Sequence, residues 1–460
     1  MSQTYAALSE LAALSGRPSA ARDRLTYLFD EGQFTELDAY AAKDGELSGV
    51  ITAFGYADGN PVYAFSQDVT VKGGAVTKLQ ADKIAKVFDL AAKTGVPVVG
   101  FYDSNGADLD DGFAAMQAYG ELLLGASNLS GVVPQIAVAA GVCSGAAAML
   151  AESADITLMT KDAELYVAPN SEIKNSAENA AKNGTAALVC ESDEAAAKAV
   201  RDILSRLPQN NLSPAPMYEF DAPTAAFAKA PEAAAKAVCD EGSVLELYPD
   251  YGTAAYTALA SLGGSTVGIA ATNKEGSKLT ADDASKLARF VRFCDAFALP
   301  VITFVDTEGF AADTATEAAG AVKSMAKLAH AYAEATTVKL AVITGKAYGS
   351  AYIALAGKSA NADVTIALTD AVITPLAPET AVEFFDHDAL KGAADLKAER
   401  SRLAAEYAAK NASAAAAAQA GAVDMIVDAN GLRAALTAAA DMLSGKRVSR
   451  LPKKHSNIQL

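Results

Sequence analysis

The chain is poor in the residues from which side-chain catalytic centres are usually built. It has three histidines and four cysteines among 460 residues. Cys143, Cys190, Cys239 and Cys294 lie far apart, with no CxxC pair and no Cys/His cluster. That spacing argues against a zinc site, so no metal is expected, and it fits a reduced cytosolic setting. His330 sits in the helix-like stretch AKLAHAYAEA, His387 in FFDHDAL and His455 in the tail, and no Ser/His/Asp order or GxSxG stands out. The GxGxxG and P-loop patterns are missing as well. No apolar run reaches 18 residues, and MSQTYAALSELAAL lacks a basic stretch ahead of an apolar one, so neither a membrane span nor a signal peptide is expected. Positive charge is also scarce. A net charge of −17 argues against a nucleic-acid partner. A small anionic ligand remains compatible, since it needs only a local cluster of donors.

What the chain does have is apolar mass and internal repetition. At 51% hydrophobic it can bury a large core, and its length suggests two or more domains. Sliding the sequence over itself by 203 positions lays ADKIAKVFDLAAKTGVPVVGFYDSNG (81–106) on ASKLARFVRFCDAFALPVITFVDTEG (284–309) without a gap. Lys83 meets Lys286, Pro97 meets Pro300, Asp103 meets Asp306 and Gly106 meets Gly309. Further on, IAVAAGVCSGAAAM lies over LAVITGKAYGSAYI at a shift of 204, and ADITLMTKDA over ADVTIALTDA at 208. Two copies are too few for a solenoid and read as a duplicated α/β domain. The prolines of LSPAPMYEFDAP place a linker at 208–224, between a first domain over 1–207 and a second over 225–460. GVITAFGYADGNPVYAFSQDVTVKGG (49–74) reads as successive strands with a DGN turn.

Each copy contains a strand that stops at a glycine and feeds a helix through small residues: GVCSGAAAML (141–150) and GKAYGSAYIAL (345–355). Such a junction leaves unpaired N–H groups at the positive end of the helix. The expected donors are Gly145 and Ala146 in the first copy, and Gly349, Ser350 and Ala351 in the second. An oxyanion hole of this kind contributes roughly 2.7–4 kcal/mol per donor. The alternative is that glycine and alanine only permit close helix–strand packing. Cys143 lies inside the first junction with no basic partner and reads as a small buried residue. Lys72 in TVKGG, with Arg17, Arg22 and Arg24 in GRPSAARDR, is placed to meet the phosphates of an anionic ligand or to form an ordinary solvated face.

Several stretches resemble the biotin-dependent acyl-CoA carboxyltransferases: SAARDRLTYLFDEGQFTELD (19–38), FSQDVTVKGGAV (65–76), SGVVPQIAVAAGVCSGAA (130–147), ARFVRFCDAFALPVITFVDTEGF (288–310), AYAEATTVKLAVITGKAYGSAY (331–352) and KKHSNIQL (453–460). The resemblance implies an α/β fold of two tandem crotonase-like domains, each a β-β-α superhelix. It implies that acyl-CoA is taken on the first domain and biotin, on a separate carrier protein, on the second. The implied active site lies between the first domain of one subunit and the second of another, in a homodimer or trimer of dimers. Gly145 and Ala146 would then hold the thioester enolate oxygen, and Ser350 and Ala351, with Gly349 shaping the turn, the ureido oxygen. Substrate contacts are implied for Gly141, Cys143, Lys72, Gly73, Gly74, Gly106 and Ala107 on the first domain, and for Tyr348 and Ile353 on the second. No Met-Lys-Met biotinylation motif occurs. Besides the carrier, the implied partner is a biotin carboxylase or a sodium-pumping membrane decarboxylase subunit. The implied location is cytoplasmic, with a peripheral place on a membrane complex left open.

The sequence departs from that family at five points. Ala146 and Ser350 each stand where a glycine is usual, and a positive φ there would be strained. Asp108 replaces an arginine, Ile353 replaces the aspartate of propionyl-specific relatives, and the stretch after Pro169 is short. The short, drifted chain leans toward a decarboxylase α subunit over a carboxylase β subunit. A crotonase-type hydratase or isomerase would need paired carboxylates in one domain, and a decayed scaffold would show no turnover.

Overall fold

The computed structural model describes residues 8–10, 12–13, 15–43, 46–168, 176–358 and 360–458. The chain divides into two compact units, Met1–Pro216 and Met217–Leu460, a division that falls inside the stretch 208–224. The short stretch after Pro169 lies outside the described residues.

In the first unit a helix, α1 (Ala20–Leu28), is capped by the Ser19 hydroxyl, which accepts from the Arg22 N–H. Strand β1 (Phe34–Leu37) follows, then the hairpin of β2 (Val50–Ala57) and β3 (Asn60–Gln67). Asp58 and Gly59 turn it with φ of 50° and 75°, the geometry a two-residue hairpin demands. The Asp30 carboxylate secures the turn by accepting both of its amides at 2.9 Å. Helix α2 (Lys78–Thr94) buries Ala81, Ile84, Val87, Phe88 and Ala91, one face at helical spacing. It stops at Gly95, whose φ of 67° suits only a residue without Cβ steric cost. There follow β4 (Val98–Ser104), α3 (Phe113–Leu129), β5 (Gln135–Ser144), the short α4 (Ala146–Ala151), β6 (Ile156–Thr160), β7 (Glu164–Tyr166), β8 (Leu188–Cys190) and α5 (Asp193–Arg206). The sheet order is β1-β2-β3-β4-β5-β6-β8, with β7 pairing on the far part of β5. The two pairings at the hairpin end are antiparallel and the rest are parallel.

The second unit repeats this plan. It runs α6 (Pro231–Val238), β9 (Leu245–Leu247), β10 (Ala255–Leu262), β11 (Ser265–Thr272), α7 (Ala281–Ala296), β12 (Val301–Thr307), α8 (Ala321–Glu334), β13 (Lys339–Tyr348), α9 (Gly349–Ala356), β14 (Val364–Leu368), β15 (Val372–Thr374), β16 (Met425–Val427) and α10 (Leu432–Leu443). Its order, β9-β10-β11-β12-β13-β14-β16 with β15 on β13, matches the first unit strand for strand and direction for direction.

The residues aligned by the internal repeat occupy equivalent places. Pro97 and Pro300 each start a strand by accepting an amide, from Tyr63 at 3.0 Å and Gly268 at 2.8 Å. Lys83 and Lys286 are buried on α2 and α7 with their ammonium groups turned onto main-chain carbonyls. Lys83 meets Val50 O at 2.7 Å, while Lys286 meets the oxygens of Tyr248, Tyr251 and Ala255 at 2.7, 2.9 and 2.9 Å. Burial lowers both lysines to a pKa of about 8. The C-terminal tail is fastened by charge. Glu334 on α8 gathers Arg292 at 3.1 Å together with Lys453 and Ser456, and Arg450 donates to the carbonyls of Ala333 and Ala335.

Candidate active site

Both glycine junctions form a strand–turn–helix. Gly145 (φ 57°) ends β5 and opens α4, and Gly349 (φ 55°) ends β13 and opens α9. The positive φ falls on these two glycines alone. Ala146 and Ser350, the next residues, are absent from the left-handed positions, so neither carries the strain that a side chain after the turn would have introduced. The first-turn amides of a helix have no intrahelical partner, and those of α4 and α9 point along the helix start with their dipoles aligned. One expected donor is already used: the Gly145 N–H donates to Tyr166 O at 3.0 Å. That bond extends the β5–β7 ladder past Ser144↔Tyr166, so the Gly145 N–H is engaged within the sheet and the next amide at the helix start is that of Ala146.

An aspartate stands behind each turn. Strands β4 and β5 lose register between Tyr102 and Ser104, and β12 and β13 lose it between Val305 and Thr307. The side chains of Asp103 and Asp306 fill the resulting bulges. A methyl on Gly141 would lie 2.2 Å from Asp103 Oδ1, and one on Gly345 would lie 2.3 Å from Asp306 Oδ1. Gly141 therefore leaves room for the Asp103 carboxylate. Asp306 Oδ1 accepts the Lys346 N–H at 2.8 Å, and the corresponding Val142 N–H acts to lower the Asp103 carboxyl.

The other expected contacts divide. Cys143 is fully buried in the first core, and burial pushes its thiol up to about 12, which fits a small packing residue rather than a nucleophile. Lys72, Gly73 and Gly74 form a left-handed turn with φ of 50°, 64° and 70°. Gly74 cannot be replaced there, because a Cβ would sit 2.0 Å from Asp103 O. Lys72 is not a free cation, since its ammonium lies 3.1 Å from Asp108 and 3.7 Å from Asp110. Burial raises the Asp108 carboxyl, but Lys72 and the amides of Asp111 and Asp110 prevail and hold it below the usual range. Of the three arginines expected to meet phosphates or solvent, Arg17 stays exposed, Arg22 is half-buried and Arg24 leaves the solvated face altogether. Arg17 lies 3.5 Å from Asp68, Arg22 lies 2.7 Å from Glu36, and Arg24 is buried against Asp103 and Asp193. Gly106 (φ 99°) gives its N–H to Ser104 Oγ and its carbonyl to the Val76 N–H, and Ala107 bridges Val76. A methyl on Gly106 would stand 3.4 Å from Ser144 O, so this segment borders the first turn.

Tyr348 is buried at the end of β13, whereas Ile353 is 61% exposed on α9. Its counterpart at the 204 shift, Met149, is 55% exposed on α4, so each unit shows one apolar side chain on the helix that follows its turn. No group of three or more His, Cys, Asp or Glu able to hold a metal occurs among the described residues, and no helix among them is long and apolar enough to cross a membrane.

Duplicated amide turns on duplicated sheets narrow the choice of family, and comparison with known proteins completes it. The carboxyl transferase domain model matches residues 16–458. This chain belongs to the carboxyl transferase family. It is 35% identical to the methylmalonyl-CoA decarboxylase subunit alpha of Propionigenium modestum, over 97% of this chain and 94% of the relative. It is also 35% identical to the propionyl-CoA carboxylase carboxyltransferase subunit of Haloferax mediterranei, over 96% and 93%. The crystal structure of transcarboxylase 12S with methylmalonyl-coenzyme A and methylmalonic acid bound superposes with a TM-score of 0.92 at 31% identity, covering 100% of this chain and 98% of that one. The family's two crotonase-like units are the two sheets described above.

Proposed function

We propose that this carboxyl transferase moves a carboxyl group between biotin on a separate carrier protein and the α-carbon of a CoA thioester of the methylmalonyl or propionyl type. The observation that carries the reading is the pair of amide turns, one per unit, within a match to the family that spans nearly the whole chain. The amides that start α4 at Ala146 would hold the thioester oxygen as negative charge develops on it, and those of Ser350 and Ala351 would hold a ureido oxygen. The second turn fits a neutral ureido ring because its donors are backbone groups, and the nearby Lys346 ammonium is already matched by Glu308 at 2.6 Å. Biotin, when bound, would give or accept the carboxyl group at a ring nitrogen that exchanges it for a proton, so the reading asks for no side-chain base at either turn. Ile353 presents an apolar surface where the acyl group would lie. The acyl-CoA belongs to the first unit and biotin to the second, the two turns meeting when copies assemble.

Direction belongs to the partner. A membrane decarboxylase subunit would make this chain a decarboxylase component, as the Propionigenium relative is named, and a biotin carboxylase would make it a carboxylase component, as the Haloferax relative is named. The test is incubation of the purified chain with methylmalonyl-CoA and free biotin. Biotin-dependent release of CO2 is the expected result. Hydration of an enoyl-CoA, or no turnover of either substrate, overturns the proposal.

A further inference from the structure

The two aspartates behind the turns are held by different chemistry. In the first unit Arg24 reaches from α1 into the bulge and donates to Asp103 Oδ2 at 3.0 Å and Ala140 O at 3.2 Å, to Asp193 at 2.7 Å, and to Gln67 O at 3.3 Å. Every one of these partners except Asp193 lies on β3, β4 or β5. In the second unit a side-chain amide takes this place. Asp306 Oδ2 accepts from the Asn273 amide at 2.9 Å, and Asn273 is held in the left-handed region at φ 69°. Even the amide of each aspartate is met differently, by Gln67 Oε1 for Asp103 and by Thr272 Oγ1 for Asp306. The position aligned with Asn273 is Asp68, a carboxylate that cannot donate to Asp103; it is engaged with Thr70 and Arg17 instead.

We infer that Arg24 is a positioning residue for the first amide turn, acting through Asp103, and that Asn273 does the same for the second turn through Asp306. The argument is one of geometry. The amide three places before each turn glycine is directed to the aspartate: Lys346 N–H donates to Asp306 at 2.8 Å, and Val142 N–H favours the ionised form of Asp103. Oδ2 of each carboxylate is held by the arginine in the first unit and by the asparagine in the second. An aspartate free to rotate releases the bulge, and the helix-start amides beyond it lose their aim by the small displacements that catalysis does not tolerate. Burial raises the Asp103 carboxyl, the Arg24 charge opposes that rise, and Asp193 adds to it. The effect on turnover rests on the functional reading given above, while the effect on the turn itself does not.

Hydrogen–deuterium exchange of the full-length protein tests this without substrate, read on segments 141–148, 345–352 and, as a reference within the first unit, 84–94. Arg24→Gln is expected to speed exchange in 141–148 by about tenfold while 345–352 and 84–94 stay within about twofold. Asn273→Asp, which sets two carboxylates together, is expected to do the reverse. Arg24→Gln combined with Asp103→Asn, a neutral pair in place of an ionic one, is expected to return 141–148 to within about threefold of the parent. In the biotin-dependent assay Arg24→Gln is expected to lower kcat by about tenfold with the KM for the CoA thioester changed by less than about threefold. A folded Arg24→Gln protein with unchanged exchange in 141–148, or one in which 84–94 loosens equally, overturns the inference. If Arg24→Gln does not fold, Arg24→Lys, which keeps one donor group, decides it by the same segments. A parent protein without turnover would end the functional reading and leave the exchange result standing.

Discussion

The two units share backbone positions and differ in the side chains that hold them. Gly141 and Gly345, Gly145 and Gly349, and Gly106 and Gly309 do the same work in each, because a Cβ clash or a positive φ leaves no alternative. The supports behind them have drifted: Arg24 against Asn273, Gln67 against Thr272, one carbonyl on Lys83 against three close ones on Lys286. After duplication the chain geometry is retained, and the manner of securing it is free to change.

The most severe way to break this symmetry is to delete one amide at a time. Proline at the first helical position keeps a helix start intact, so Ala146→Pro should fold and lose about 100-fold in kcat. Ser350→Pro should lose a similar factor, and biotin-dependent CO2 release with thermal unfolding as the folding control measures both. Near-parent turnover in a folded Ala146→Pro would remove the first turn from the chemistry. Gly145→Pro is less informative, since that N–H is already given to Tyr166 and the φ of 57° is closed to proline.

The buried lysines come next. Lys286→Met orphans three close carbonyls and should cost about 2–3 kcal/mol in denaturant unfolding, against about 1 kcal/mol for Lys83→Met. Their pH dependence has a definite sign. Both lysines hold a folded pKa of about 8, below the unfolded value of 10.5. Between those values the unfolded chain keeps the proton that the folded chain gives up, so stability rises with pH from about 8 to about 10.5. Each Lys→Met variant should flatten that rise, and an unaltered profile in the double variant would contradict the assignment.

Substitution of the turn glycines should give smaller, graded losses. A methyl at Gly349 meets Pro375 O at 2.9 Å, whereas at Gly145 the nearest atom, Val167 O, is 3.8 Å away. Gly349→Ala should therefore cost about 2 kcal/mol and Gly145→Ala about 1 kcal/mol, the latter from φ alone. The mildest effect is expected at the Lys72–Asp108 pair. Asp108→Asn weakens the grip on the Lys72 ammonium and should lower the KM for a CoA thioester by about twofold at low salt, a gain that disappears at high salt.

The repeat made much of this readable in advance. An aligned lysine, proline, aspartate and glycine, at an offset that changes only where loops change length, located the strands, the helices and both turns. What stayed hidden was the partnership of each side chain. Arg24 looked like any basic residue on an amphipathic helix, because Asp103 and Asp193 are 79 and 169 positions away. The engagement of the Gly145 amide depended on Tyr166 in a three-residue strand, too short to give a periodic signal. Asn273 lies outside the stretches that the sequence offsets pair, and only strand register sets it against Asp68, so the alignment could not mark it. Asp103 and Asp306 were marked by the alignment, and the glycines Gly141 and Gly345 opposite them were the clue that a carboxylate needed room.

The fastening of the C-terminal tail carries a practical consequence. Its anchor, Glu334, keeps a carboxyl pKa of about 2 because, although burial would raise it, the Lys453 and Ser456 bonds and Arg292 outweigh that effect. Mild acid therefore leaves the tail in place, whereas concentrated electrolyte weakens the ionic contacts by screening. Buffers of high ionic strength, used routinely in chromatography, are the conditions under which this end of the polypeptide should first become a target for proteases.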